Sequence, residues 1–375
     1  MRILRTALLV ALVVGVSVSA LAKADAPLID AVRSGDVSVV RALLDQGADV
    51  EGAAADGSTA LQWAVHEDRV AIVELLLDAG ADVTATNRYG VSAASLAAEN
   101  GNAAILGRLL DSGVDPATTM PGGETLLMTA ARTGEPDTVR VLLARGADPN
   151  VREELRGQTA LMWAAANDNA AAIHVLAEQG AHLHARTDNP SRSPGRTFSS
   201  TPATGFTPLL FAVRGGHLDA ARVLLDAGAD VNDAVSDGQS GLVVAAANAN
   251  WEMAAYLLDR GADPTHAGAG WNALHQTVRT RRMNVGFGTP GPFAAGTLDS
   301  IDLIRQLLAR GVDVNARMTR NGIRDGQRNR FNRLGATAFM LAAKVTDVET
   351  MRVLLEAGAD PLIPTADGTT PLMVA

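Results

Sequence analysis

A glycine returns along this chain at a nearly fixed interval. Gly47, Gly80, Gly113, Gly146, Gly180, Gly228, Gly261, Gly311 and Gly358 each close a stretch like Val141–Asn150, VLLARGADPN, and the gaps between them are 33, 33, 33, 34, 48, 33, 50 and 47 residues. One unit of about 33 residues is therefore stamped out nine times, with three insertions. The glycine lets the chain take the left-handed turn that ends a helix, and Asp56-Gly57, Asp237-Gly238 and Asp367-Gly368 supply turn chemistry before the next unit. Each unit reads as helix, turn, helix and hairpin.

The helices cannot stand alone. In the fourth unit Leu127, Ala130 and Ala131 share one face of the first helix, and Val139, Leu142 and Leu143 share one face of the second. Such stripes are buried only if neighbouring units stack. Aromatic residues are 3% of the chain while the apolar group is 47%, which suits thin layers of small aliphatic side chains. The period implies one elongated domain over residues 25–375, comprising nine units and an incomplete tenth that breaks off in TTPLMVA. That ending leads us to expect a longer product.

Met1–Ala24 lies outside the repeat. Arg2 and Arg5 precede the apolar run Ala7–Ala20, and small residues offer cleavage after Ala22 or Ala24. This pattern predicts a secretory signal peptide, and hence a periplasmic or secreted protein. No later stretch is long and apolar enough for stable membrane insertion. The absence of cysteine agrees with an oxidising compartment. Formal charge is −9, and loss of Arg2 and Arg5 takes it to −11, which disfavours general nucleic-acid binding.

Within one unit, Thr207-Pro208-Leu209, Gly216-His217, Val223-Leu224-Leu225 and Gly228-Ala229-Asp230-Val231-Asn232 together resemble the ankyrin repeat, and weaker copies run from Ala26 to Ala375. The resemblance implies an all-α solenoid of stacked helix-turn-helix units with connecting hairpins. Thr at the helix start caps open amides and Pro fits the first turn. The histidine that the family carries after Thr-Pro-Leu survives only as His275; its counterparts are Gln62, Ser95, Met128, Met162, Leu210, Val243, Met340 and Met373. Apolar filling is thus expected in place of imidazole hydrogen bonds in most units.

The resemblance also implies function: hairpin tips and the exposed side of the first helices form a concave groove that binds other proteins. The groove residues so expected include His66, Glu67, Glu99, Asn100, Arg132, Thr133, Asn167, Arg214, Asn248, Arg279 and Lys344, with Arg88, Tyr89, Glu124, Asp237 and Gln239 on the rim. Acidic residues come early and basic ones late, an arrangement that can fix the direction of an extended partner. The expected protein is a non-catalytic, monomeric scaffold for a protein partner. Its alternative is an accessory array positioning a catalytic or cofactor-binding domain encoded beyond residue 375.

Three insertions, 184–205, 280–300 and 316–336, interrupt the array. The last carries Arg317, Arg320, Arg324, Arg328, Arg330 and Arg333 against Asp325, a local charge of +5 that leaves −16 for the rest of the mature chain. It offers a site for an anionic partner, or else a loop folding back onto the acidic array. Trp63, Trp163 and Phe211 share a slot filled elsewhere by Leu96, Val244 and Leu341; it reads as core packing, with an aromatic binding stripe as the other possibility.

Chemistry is sparse. Gly286-Phe287-Gly288-Thr289-Pro290-Gly291 has the spacing of a dinucleotide loop, but no strand precedes it and Pro290 and Pro292 oppose a helix. His182 and His184 fall short of the three or four ligands that zinc needs. No catalytic residues, metal or cofactor are expected.

Overall fold

The computed structural model describes residues 27–188, 204–281, 296–321 and 331–375. The expected leader, the Gly286–Gly291 loop and Arg324, Arg328 and Arg330 lie outside them. The chain divides into two compact units, Met1–Pro121 and Gly122–Ala375, where the period alone implied one domain. The division falls at Pro121-Gly122-Gly123, where both glycines have positive φ.

The first unit pairs α1 (Pro27–Ser34) with α2 (Val37–Asp45), α3 (Ala60–His66) with α4 (Val70–Asp78), and α5 (Ala93–Asn100) with α6 (Ala103–Asp111). The second pairs α7 (Leu126–Thr133) with α8 (Pro136–Ala144), α9 (Ala160–Ala166) with α10 (Ala170–Glu178), and α11 (Pro208–Gly215) with α12 (Leu218–Asp226). It continues with α13 (Gly241–Ala247) and α14 (Trp251–Asp259), α15 (Ala273–Arg281) and α16 (Ser300–Ala309), and α17 (Ala338–Lys344) and α18 (Val348–Glu356), ending in α19 (Pro371–Val374). The array is all-α. Among the described residues its hairpins contribute only isolated antiparallel bridges, such as Ala53 with Thr59 and Ala234 with Ser240.

Helices of four to ten residues are too short to persist alone, so capping and stacking supply their stability. The Thr125 hydroxyl accepts from the Met128 amide at the start of α7, and Thr159, Thr207, Ser240 and Thr337 repeat the arrangement. At α19 the Thr370 side chain makes no such bond. Beyond the second helices, Gly47 has φ +77° and Gly228 φ +104°, and a Cβ at either would meet nothing within 4 Å. Backbone twist, not space, is what requires glycine there. Leu127, Ala130, Ala131, Val139 and Leu142 are at most 1% exposed; full burial of a leucine contributes about 1.5–3 kcal/mol. Leu143, expected on the same face, is half-buried.

Polar ties lock successive layers. Several hairpins donate an amide to the one before them: Arg88 to Asp56 O, Asp188 to Arg156 O, Ser236 to Thr204 O and Thr319 to Gly270 O. Between helices, Asn100 Nδ2 donates to the Val65 and His66 carbonyls, Asn169 Nδ2 to those of Ala131 and Arg132, and Asn250 Nδ2 to those of Val213 and Arg214.

His275 is buried, with Nε2 3.0 Å from Ala316 O and Nδ1 2.7 Å from the Asn272 side chain. Gln62 holds the same position in its own repeat and makes a comparable bridge. Its Nε2 donates to Ala85 O and Val91 O at 2.9 Å each, while its Oε1 accepts from Thr59 N. Met128, Met162, Leu210, Val243 and Met340 are the apolar filling that the sequence suggests.

Candidate functional site

Near the ends of four first helices, α1, α7, α11 and α17, basic side chains meet aromatic rings. In the first unit the Arg33 guanidinium lies 4.7 Å from the Trp63 ring centroid, and His66 meets the same indole edge-on at 5.9 Å. Trp63 Nε1 is buried with no hydrogen-bond partner among the described residues. Glu67 and Glu99 are exposed, as are Arg88 and Tyr89 on the rim. Asn100, expected as a contact residue, spends its amide on the preceding helix end.

In the second unit Arg132 lies over Trp163 at 5.9 Å, and Lys344 over Phe331 at 5.1 Å. Arg214 lies over two rings at once, 4.9 Å from both Phe206 and Phe211, whose centroids are 5.5 Å apart. Burial by these neighbours, and then the charge of Arg156 on an adjoining hairpin, push the Arg214 guanidinium pKa down from its ordinary value. Arg279 and Thr133 are half-buried, and the Thr133 hydroxyl donates to Ala130 O. Asn167 and Asn248 each donate to their own helix, at Trp163 O and Val244 O. On the rim, Glu124 accepts from Thr129 Oγ1 and Asp237 from Gln239 Nε2.

The shared aromatic slot is not uniformly core. Phe211, Val244 and Leu341 are buried, whereas Trp63, Leu96 and Trp163 are half-buried. A basic side chain over an aromatic face contributes about 0.5–1 kcal/mol at an exposed site, more when desolvated. It also holds an otherwise floppy cation in one place.

The arginine-rich insertion is corrected in part. Arg333 is only 7% exposed, inside a turn where its amide donates to Asn321 Oδ1 and its carbonyl accepts from Ala336 N. Arg317 is spent on the Gly335 and Pro364 carbonyls, while Arg320 is exposed. The loop's charge therefore overstates what its described residues present to a partner. His182 and His184 are exposed, and among the described residues no group of three or more His, Cys, Asp or Glu could hold a metal ion. None of the described helices is long and apolar enough to cross a membrane.

The family described as Ankyrin repeats (3 copies) matches residues 5–87, 94–187 and 191–268, and the one described as Ankyrin repeat matches residues 334–366. The mitochondrial disaggregase of Bos taurus is 29% identical over 175 residues, 47% of this chain and 22% of that protein. The nuclear factor NF-kappa-B p105 subunit of Gallus gallus is 31% identical over 174 residues, 45% of this chain and 14% of its own length. The chain thus spans about a fifth or less of these two relatives. The crystal structure of the human ASB11 ankyrin repeat domain aligns over 64% of this chain and 99% of its own, with 23% identity and a TM-score of 0.53.

Proposed function

The chain belongs to the ankyrin-repeat family, and from that premise we propose that it is an exported, non-catalytic scaffold that binds a protein partner along the hairpin-side face of its first helices. Ankyrin repeats indicate protein–protein interaction. The observation that carries the choice of face is the series of basic side chains seated on rings: Arg33 on Trp63, Arg132 on Trp163 and Arg214 on Phe206 and Phe211. Rigid amphipathic anchors of arginine and aromatic type are what dominate binding hot spots. Export rests on the charged, apolar and small-residue segments of Met1–Ala24.

Photo-crosslinking tests the face. A benzoylphenylalanine at Asn167 or Asn248 should capture a partner from extract of the source organism, while the same probe on the second helices at Arg140 or Arg222 should not. Equal capture from both sets, or capture from the second helices alone, would overturn the assignment. Amino-terminal sequencing of the mature protein tests export: it should begin at Lys23 or Asp25, and an intact Met1 leader would refute it.

A further inference from the structure

The last turns of the first helices carry an alternation of their own. Over five successive repeats of the second compact unit, the same position holds Arg132, Ala166, Arg214, Ala247 and Arg279. A basic side chain thus alternates with a methyl group until Lys344 in α17 ends the pattern. Arg132 is seated on Trp163, and Arg214 on Phe206 and Phe211. Beside the two alanines, Asn167 and Asn248 donate to carbonyls of their own helices, so the intervening layers present no charge at this position.

The same helices set the sign of the face. α7, α9, α11, α13, α15 and α17 contain Arg and Lys but no Asp or Glu. Most acids of the adjoining hairpins are engaged: Glu124 accepts from Thr129 Oγ1, Glu153 from the Leu155, Arg156 and Gln158 amides, and Asp188 and Asp233 pair with Arg152 and Arg186. Glu154 and Asp237 are exposed at hairpin tips, Glu154 close in the chain to Arg156, and Glu135 is exposed just before α8. Charge is therefore mixed at the tips and basic along the first helices.

An extended peptide turns successive side chains to opposite faces and rises about 3.3 Å per residue. Two helix layers span about 16–20 Å, close to the rise of six residues. A spacing of five or seven would turn the second side chain away, and four or eight, repeated across three arginines, would run short or long. We propose that this face reads an extended acidic peptide whose carboxylates recur at every sixth residue, one received by each of Arg132, Arg214 and Arg279, with the side chains midway between them turned away from the Ala166 and Ala247 layers. The inference rests on the interaction reading above and deepens it. Arginine and carboxylate form charge-assisted, often two-pronged hydrogen bonds, and a ring beneath a guanidinium leaves its N–H edge open to them. A uniformly charged polyanion fits less well: it gains nothing at the alanine layers, and a chain with a pI of about 5.3 repels the excess charge.

The test uses the purified full chain and fluorescein-labelled peptides of one composition, rich in Ser and Thr, read by anisotropy. One peptide carries three Glu six residues apart, a second carries them five apart, and a third has Gln in place of Glu at the six-residue spacing. The six-apart peptide should bind at least about tenfold more tightly than either of the others, one charge-assisted contact being worth about that factor. Arg214→Gln should weaken it about tenfold, while Arg140→Gln on α8 should change nothing. The peptide comparison is made on the unaltered chain, so it stands even if Arg214→Gln perturbs folding. Equal binding of the six-apart and five-apart peptides, indifference to Arg214→Gln in a folded variant, or no binding of the six-apart peptide up to about 1 mM would overturn the proposal. A natural partner that crosslinks from Asn167 while the peptides show no preference would leave the scaffold reading intact and remove this one.

Discussion

The Arg281 Nε donates to Asp347 Oδ2 at 3.0 Å, joining the end of one first helix to the start of α18, 66 residues further on. The Arg281 and Asp347 side chains are 14% and 1% exposed. Arg281 also donates to Ser300 Oγ at 2.9 Å and to Glu349, so that one side chain ties three helices together. Burial pushes the Asp347 carboxyl up, but the Thr350 hydroxyl and amide and the Arg281 charge outweigh it and hold its pKa below the usual value.

Removing the arginine leaves a buried carboxylate short of its counter-charge. Arg281→Ala should cost about 3–5 kcal/mol in urea denaturation. Asp347→Asn in the same background should recover part of that loss, and equal losses with and without Asp347→Asn would show that charge is not the cause.

His275 predicts an acid limb. Burial lowers its pKa to about 4, from 6.5 for a free imidazole. The unfolded chain therefore takes up a proton near pH 6.5 that the native chain refuses until about pH 4. Its contribution is intact above pH 6.5, erodes as pH falls, and is fully lost near pH 4, an expected decline of about 3 kcal/mol. The lowered aspartates, Asp347 among them, act in the same direction but only below their unfolded value of 3.8. His275→Gln should flatten denaturation midpoints between pH 6.5 and 4.

Gln62 does by amide what His275 does by imidazole. Gln62→Leu would remove the donor facing Ala85 O, at a part-buried site, and the acceptor facing the buried Thr59 N. A loss of about 2–3 kcal/mol is expected, whereas Gln62→His should retain more than half of the lost stability. Thermal melts of the three proteins decide it.

Four repeats place a residue other than glycine in the left-handed turn between their helices: Asp68, Asp168, Ala249 and Thr346. Asp168 is compensated by its bond to Ala220 N, and Asp68 by accepting from Asn102 Nδ2 at 2.6 Å. Thr346 is β-branched, exposed and at φ +50°. Thr346→Gly should raise stability by about 1 kcal/mol, and Asp168→Gly should not. Equal gains at both sites would contradict this account.

The repeat architecture is legible in the chain because a left-handed turn every 33 residues leaves a glycine behind, as at Gly47, Gly80 and Gly113. Exposure follows from register too, and Glu67 and Glu99 are exposed where the register puts them. What escapes is pairing. Arg33 and Trp63, or Arg132 and Trp163, sit about one repeat apart in the chain and meet only when their helices stack. A basic residue at a groove position followed about 30 residues later by an aromatic one is the signal that would have found them. Arg333 escapes for a different reason: the composition of an arginine-rich loop argues for solvent, while its own turn buries it.

The amides of Asn169 and Asn250 grip the carbonyls of Arg132 and Arg214 themselves, so they hold these proposed contact residues at the spacing of the helices behind them. Packed helices lie about 8–10 Å apart, and an extended peptide rises about 3.3 Å per residue. A partner lying straight along either unit would thus present every third side chain to a successive layer. The asparagines make that surface a gauge, and a partner lengthened by a single residue would fall out of step with it.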